Sequence, residues 1–157
     1  MIRTFSIVAA FAAVILSPTA FAQQPGPFGT ADEAKAMLTK TVAALKADRD
    51  AALGMINKGE GGFKDRDLYP FCVRISDGKQ LATGAIVPPI GTDQRTLKDP
   101  TGKAFGLELY AAGQKPEGQI TEVSYMFPKP GTTAPAVPKV AFVTRAGDLG
   151  RGVGYYK

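Results

Sequence analysis

The sequence contains no histidine, one cysteine and no run of five like charges. Without histidine there can be no Ser-His or Cys-His nucleophile pair, no imidazole base and no His-ligated metal. The single cysteine, Cys72, rules out a disulfide within the chain. Its apolar surroundings, Tyr69-Pro70-Phe71-Cys72-Val73, favour burial as a small hydrophobe over pairing with another molecule. The formal charge is only +5, with Lys and Arg scattered along the chain. A nucleic-acid surface needs a basic stripe interleaved with aromatics, and none is present. No paired-carboxylate or nucleophile constellation stands out either, so the reading is of a non-enzyme with no cofactor and no metal.

What is present begins at the N-terminus. Arg3 is followed by an apolar run from Phe5 to Leu16, then Pro18, then Thr19-Ala20-Phe21-Ala22 with small residues at the cleavage-determining positions. This is the layout of a secretory signal peptide, 1–22, with cleavage near Ala22. The apolar run is well short of the ~20 residues that span a bilayer. An uncleaved anchor is the alternative. No second hydrophobic segment follows, so the expected location is periplasmic or secreted. Residues 23–29, polar and rich in Pro and Gly, read as a linker. Residues 30–157 are enough for one domain with a core of its own.

Thr30-Ala31-Asp32-Glu33 is a capping box. Leu38, Val42, Leu45, Ala52 and Ile56 then form an apolar stripe with no internal Pro, which predicts one helix of roughly 28 residues. From Tyr69 the period becomes two. Strands are expected at 69–75 and 80–85 about a turn at Ser76-Asp77-Gly78-Lys79, then at 118–127, 139–145 and 152–156. A short helix is expected at 104–112. The fold class is α+β, with about five mostly antiparallel strands. The long helix would cover one face, and residues 86–117 the other, leaving a concavity. Asp77-Gly78 and Asp99 to Gly102 read as turns, since neither has the ligand series of an EF-hand. Gly150-Arg151-Gly152-Val153-Gly154 has no helix after it, so it is not a phosphate loop. Gly152 and Gly154 would allow close backbone packing in the final strand.

Taken in order, these segments resemble the single Cache family of PAS-like extracytoplasmic sensor domains, over Thr30 to Lys157. The likeness lies in the long helix, Tyr69–Ile75 with Asp77-Gly78, Val87–Gly91 with Asp93, and Leu97-Lys98-Asp99 with Gly102-Lys103. It continues through Tyr125–Gly131, Pro138–Val143 and Gly152–Tyr156. The resemblance implies a five-stranded antiparallel sheet, a long N-terminal helix and a small-molecule pocket beneath the short helix. It also implies small organic acids such as acetate and pyruvate as ligands. In receptors of this kind the last strand leads into a transmembrane helix, and this sequence stops at Lys157. The expectation is a freestanding exported binding or sensing domain that acts with a separate membrane receptor or transporter. The alternative is an accessory domain of an envelope complex without a small ligand, dimerising through the helix stripe or Cys72. Some exported relatives carry a second Cys near position 151, where this chain has Arg151. Were the first and last strands neighbours, that residue would face Cys72, so a free thiol is expected here.

A pocket for a small acid needs an apolar wall and one or two oriented donors. Tyr125 and Phe127 share a strand face. Phe71 belongs to the same sheet, its face undetermined by sequence, and Lys139 is the cation nearest the hairpin after Phe127. Phe71, Tyr125 and Phe127 are the expected lining and Lys139 the expected anion contact. The competing reading makes the aromatics ordinary core and Lys139 a solvated strand end.

Overall fold

The computed structural model describes residues 26–157. The expected signal peptide, 1–22, and residues 23–25 of the expected linker lie outside the described residues. Helix α1 runs from Ala31 to Ala47 and opens on the capping box: Thr30 accepts from the Glu33 backbone N–H, and Glu33 accepts from Thr30. The single long helix is not observed. Asp48 is extended (φ −152°, ψ 104°) and its carboxylate accepts the Ala51 N–H at 3.0 Å, starting a second helix, α2, at Arg49–Lys58. Asp competes with the helical backbone for donors, so it can end one helix and cap the next without a proline.

Five strands follow: β1 Pro70–Arg74, β2 Gln80–Thr83, β3 Thr121–Pro128, β4 Ala136–Ala146 and β5 Leu149–Tyr156, with helix α3 at Phe105–Gly113. They form one antiparallel sheet in the order β2-β1-β5-β4-β3. The last strand is longer than its predicted five residues. It holds the central position in the sheet, paired on both sides, with β1 and with β4. Among the described residues no helix is long and apolar enough to cross a membrane.

Alternation along the strands divides the core. One face carries Cys72, Phe142, Leu149 and Val153 against Leu38, Leu45, Ala52 and Ile56 of α1 and α2. The opposite face carries Phe71, Val73, Val123, Tyr125, Ala141 and Val143 against Phe105, Leu109 and Ala112 of α3. Cys72 is a buried free thiol and stands opposite Arg151 in the β1–β5 register. Burial pushes the thiol up to about 12, so it is un-ionised at neutral pH.

Gly152 and Gly154 of β5 chiefly make room for side chains, while Gly150 allows a close backbone approach. Gly150, Gly152 and Gly154 alternate, so all three face α3. Gly150 and Gly113 meet face to face, which lets the end of α3 rest on the sheet. The ring of Phe71 occupies the place of a side chain at Gly152, and the Lys139 stem occupies it at Gly154. The bare strand is thus floor space for two side chains from its neighbours.

Candidate functional site

Between α3 and the sheet, beneath the loop that follows β2, lies a cavity. Its wall includes Tyr69, Phe71, Gln80, Thr83, Val87, Gln94, Phe105, Tyr125, Phe127 and Lys139. The volume open to the centre of a water molecule is about 30 Å³, which suits a guest of roughly a few heavy atoms. The four residues expected from sequence, Phe71, Tyr125, Phe127 and Lys139, all lie on this one wall.

Register explains how they meet. Tyr125 pairs with Lys139, and Lys139 with Tyr156, so one row crosses β3, β4 and β5 on the α3 face. Phe105 of α3 stacks on Tyr125 at 4.4 Å between ring centroids, and Phe127 stands edge-on to both. This gives a rigid apolar side to the cavity.

Lys139 is only 2% exposed. It lies inside β4 and is not a solvated strand end, because Gly154 leaves room for its stem across the next strand. Its Nζ donates to Tyr69 Oη at 2.8 Å and to Tyr156 Oη at 3.4 Å. It also sits 4.4, 4.6 and 5.1 Å from the ring centroids of Tyr69, Tyr156 and Phe127. Tyr156 passes the chain on by donating to the Pro128 carbonyl. No carboxylate lies within ion-pair distance of this ammonium among the described residues. Burial pulls Lys139 down to about 7, partly opposed by the charge of Asp67. The same burial raises Tyr69 and Tyr125, and raises Tyr156 to about 12. The cage is therefore poised: neutral hydroxyls and ring faces surround an amine that titrates near physiological pH.

Tyr69, Tyr156, Gln80, Thr83 and Gln94 were not singled out by sequence. Tyr69 precedes β1 and Tyr156 lies on a strand expected only as a short terminal piece, so their meeting at Lys139 depended on the β1–β5 and β4–β5 registers. The polar trio sits on β2 and on the 3₁₀ turn Gln94–Thr96, where no sequence period marks an inward side chain. Gln80 Nε2 donates to the Pro88 carbonyl at 2.8 Å and so tethers the overlying loop. That loop exposes Ile86, at 87%, with Val87 and Ile90.

A second buried cation lies on the other face. Arg151 donates from Nη2 to the Ala146 and Leu149 carbonyls, while its Nε and Nη1 have no partner. Neighbouring Thr144 Oγ1 is also unpartnered. This group lies away from the cavity described above.

No protein-family model and no curated protein matches the chain. Solved structures do. A methyl-accepting chemotaxis protein from Vibrio parahaemolyticus is 25% identical with a TM-score of 0.59, covering 80% of this chain and 86% of that one. The periplasmic sensor domain of a chemotaxis protein is 23% identical with a TM-score of 0.60, covering 80% and 88%. A Cache chemosensory domain, described for its carboxylic acid recognition, is 23% identical with a TM-score of 0.59, covering 80% and 86%. The chain has the PAS-like α+β fold of these Cache-type sensor domains.

Proposed function

We propose that this chain is an exported, extracytoplasmic sensing domain that captures a small carboxylic acid at Lys139 and acts with a separate membrane partner. The observation that carries this is the buried ammonium on a cavity wall without a carboxylate of its own. A desolvated charge is costly unless paired, and a ligand carboxylate would supply the missing partner through a charge-assisted hydrogen bond. Phe71, Tyr125 and Phe127 would hold the aliphatic end of the guest. The small free volume favours short acids. The neighbours add weight, since one is a periplasmic sensor domain and another recognises carboxylic acids. Their role as sensors also favours binding over catalysis. The signal peptide read at 1–22 supplies the route out of the cytoplasm.

Thermal denaturation across small carboxylates, amines and amino acids tests this reading. A short monocarboxylate should stabilise the protein by about 2.7 kcal/mol at a hundredfold excess over Kd. A flat response across the carboxylates would overturn it.

A further inference from the structure

The loop that follows β2 turns apolar side chains toward water. Ala85-Ile86-Val87-Pro88-Pro89-Ile90 is six residues without a charge. Ile86 is 87% exposed, Val87 56% and Ile90 52%, so three of the six exposed large hydrophobics among the described residues fall within five positions. Such residues scattered singly are ordinary, whereas a contiguous group marks a surface that meets something. The exposure does not come from a slack backbone. Gln80 Nε2 donates to the Pro88 carbonyl at 2.8 Å, the Gly91 N–H to the Gln80 carbonyl at 2.8 Å and the Thr92 N–H to the Pro89 carbonyl at 3.2 Å. The aliphatic tip is held outward by the loop's own hydrogen bonds.

Ile86 and Val87 also wall a hollow with about 430 Å³ open to the centre of a water molecule. The turn between β3 and β4 forms its other side, and Lys64, Arg66 and Lys129 line it without any carboxylate. Arg66 is committed to Glu33 and Asp65, at 2.7 and 2.8 Å. Lys64 and Lys129 have no carboxylate within ion-pair distance among the described residues, and Lys129 Nζ lies 3.9 Å from the Phe28 ring centroid. Arg66 donates as well to the Gly26 and Phe28 carbonyls. The chain therefore enters the described domain against this rim, and the sequence ahead of it carries the apolar run Phe5 to Leu16.

These features select the occupant. Two unpaired cations call for an anionic surface. A second copy on a two-fold axis would set Lys64 and Lys129 against the same cations of its partner. A peptide lying in the hollow would leave Ile90, which is not among its walls, in water. We propose that this face binds an anionic lipid bilayer, the aliphatic tip at Ile86, Val87 and Ile90 entering the acyl boundary while Lys64 and Lys129 meet headgroup phosphates. Interfacial binding of this kind adds buried apolar area to electrostatic attraction. The proposal rests on the extracytoplasmic location given above and is independent of the acid site at Lys139.

Fluorescence on vesicles makes the test. Cys72 is buried, so Ile86→Cys adds the one accessible thiol for a polarity-sensitive label. Ile120→Cys, 48% exposed and at the opposite end of β3 from the turn, carries the same label as control. On vesicles of phosphatidylglycerol with phosphatidylethanolamine the label at 86 should shift to the blue and the label at 120 should not. On phosphatidylcholine alone, partition should be at least about tenfold weaker. Added to the labelled Ile86→Cys protein, Lys64→Gln with Lys129→Gln should weaken partition about thirtyfold, at about fivefold per cation beside a charged bilayer. Val87→Ser with Ile90→Ser should weaken it at least about tenfold. Both pairs are at the surface and should melt within a few degrees of the unsubstituted protein. No shift at 86 on phosphatidylglycerol, an equal shift at 120 or a shift indifferent to lipid charge overturns the proposal. A shift that appears without vesicles as protein concentration rises also overturns it, and marks self-association instead. None of these outcomes bears on acid titration, so the site at Lys139 stands or falls separately.

Discussion

Replacing Lys139 by Met separates binding from stability. Met keeps the aliphatic stem over Gly154 and removes the ammonium. Lys139 is lowered from 10.5 to about 7 in the folded protein. A base depressed on folding destabilises fully below its folded pKa, and the penalty is relieved as pH rises from there toward the unfolded value. At pH 6 the penalty is roughly 5 kcal/mol from that shift. The three ring faces within 4.4–5.1 Å already act on the charged form within that value. Tyr69 then loses a hydrogen-bond donor, which costs about 1 kcal/mol. The net gain for Lys139→Met at pH 6 is on the order of 4 kcal/mol, or roughly 12–20 °C in melting temperature for a domain of this size. The gain should shrink toward zero by about pH 9–10, where wild type holds the neutral amine. Acid binding should meanwhile fall by at least about thirtyfold, as for loss of a hydrogen bond to a charged group. Paired urea and thermal melts at pH 6 and 9.5, with calorimetric titration, measure both. A variant less stable than wild type at pH 6 would refute the reasoning, because the lysine would then be a net contributor to the fold.

The unliganded protein should gain stability between pH 7 and about 10 as Lys139 sheds its proton, and lose it above about 10. The loss follows because Tyr69, Tyr125 and Tyr156 are raised on folding and resist ionisation that the unfolded chain permits; chemical denaturation across that range reads the curve. Gly152→Ala should destabilise by about 1–3 kcal/mol, since its methyl would meet the Phe71 ring on one side and the Phe142 carbonyl at 3.0 Å on the other. Gly154→Ala meets the flexible Lys139 stem at 2.5 Å, with the Val140 carbonyl at an ordinary 3.4 Å, so acid affinity should drop while the melting temperature moves little. Arg151→Met removes a buried guanidinium with two unpartnered N–H donors and should leave stability equal or raise it by about 1–3 kcal/mol in equilibrium unfolding.

Much of the architecture was legible because it rests on local chemistry. The capping box located the start of α1, and the change of period at Tyr69 located the sheet. The turn signals at Asp77-Gly78 and Asp99 to Gly102 fell where the chain turns: Gly78 has φ +74° and Gly102 φ +87°. The break at Asp48 was missed because the apolar stripe runs on through it, while one side-chain hydrogen bond interrupts the backbone. Phe71, Tyr125, Phe127 and Lys139 were reachable through alternation together with the Cache resemblance. The cage around Lys139 was not, since Tyr69 and Tyr156 are 87 positions apart in sequence and meet only through register. Gln94 was hidden for another reason. It lies on a single 3₁₀ turn in a segment that read as loop, where nothing in the residue order says which side chain turns inward.

The capture of an acid by an amine that titrates near 7 has a direct signature in proton exchange. Calorimetric titration of pyruvate at pH 8, repeated in buffers of different ionisation enthalpy, counts the protons taken up on binding. The account predicts close to one proton per acid bound at pH 8, falling toward zero at pH 5.5, where Lys139 is already charged. Binding with no proton uptake at pH 8 would contradict it.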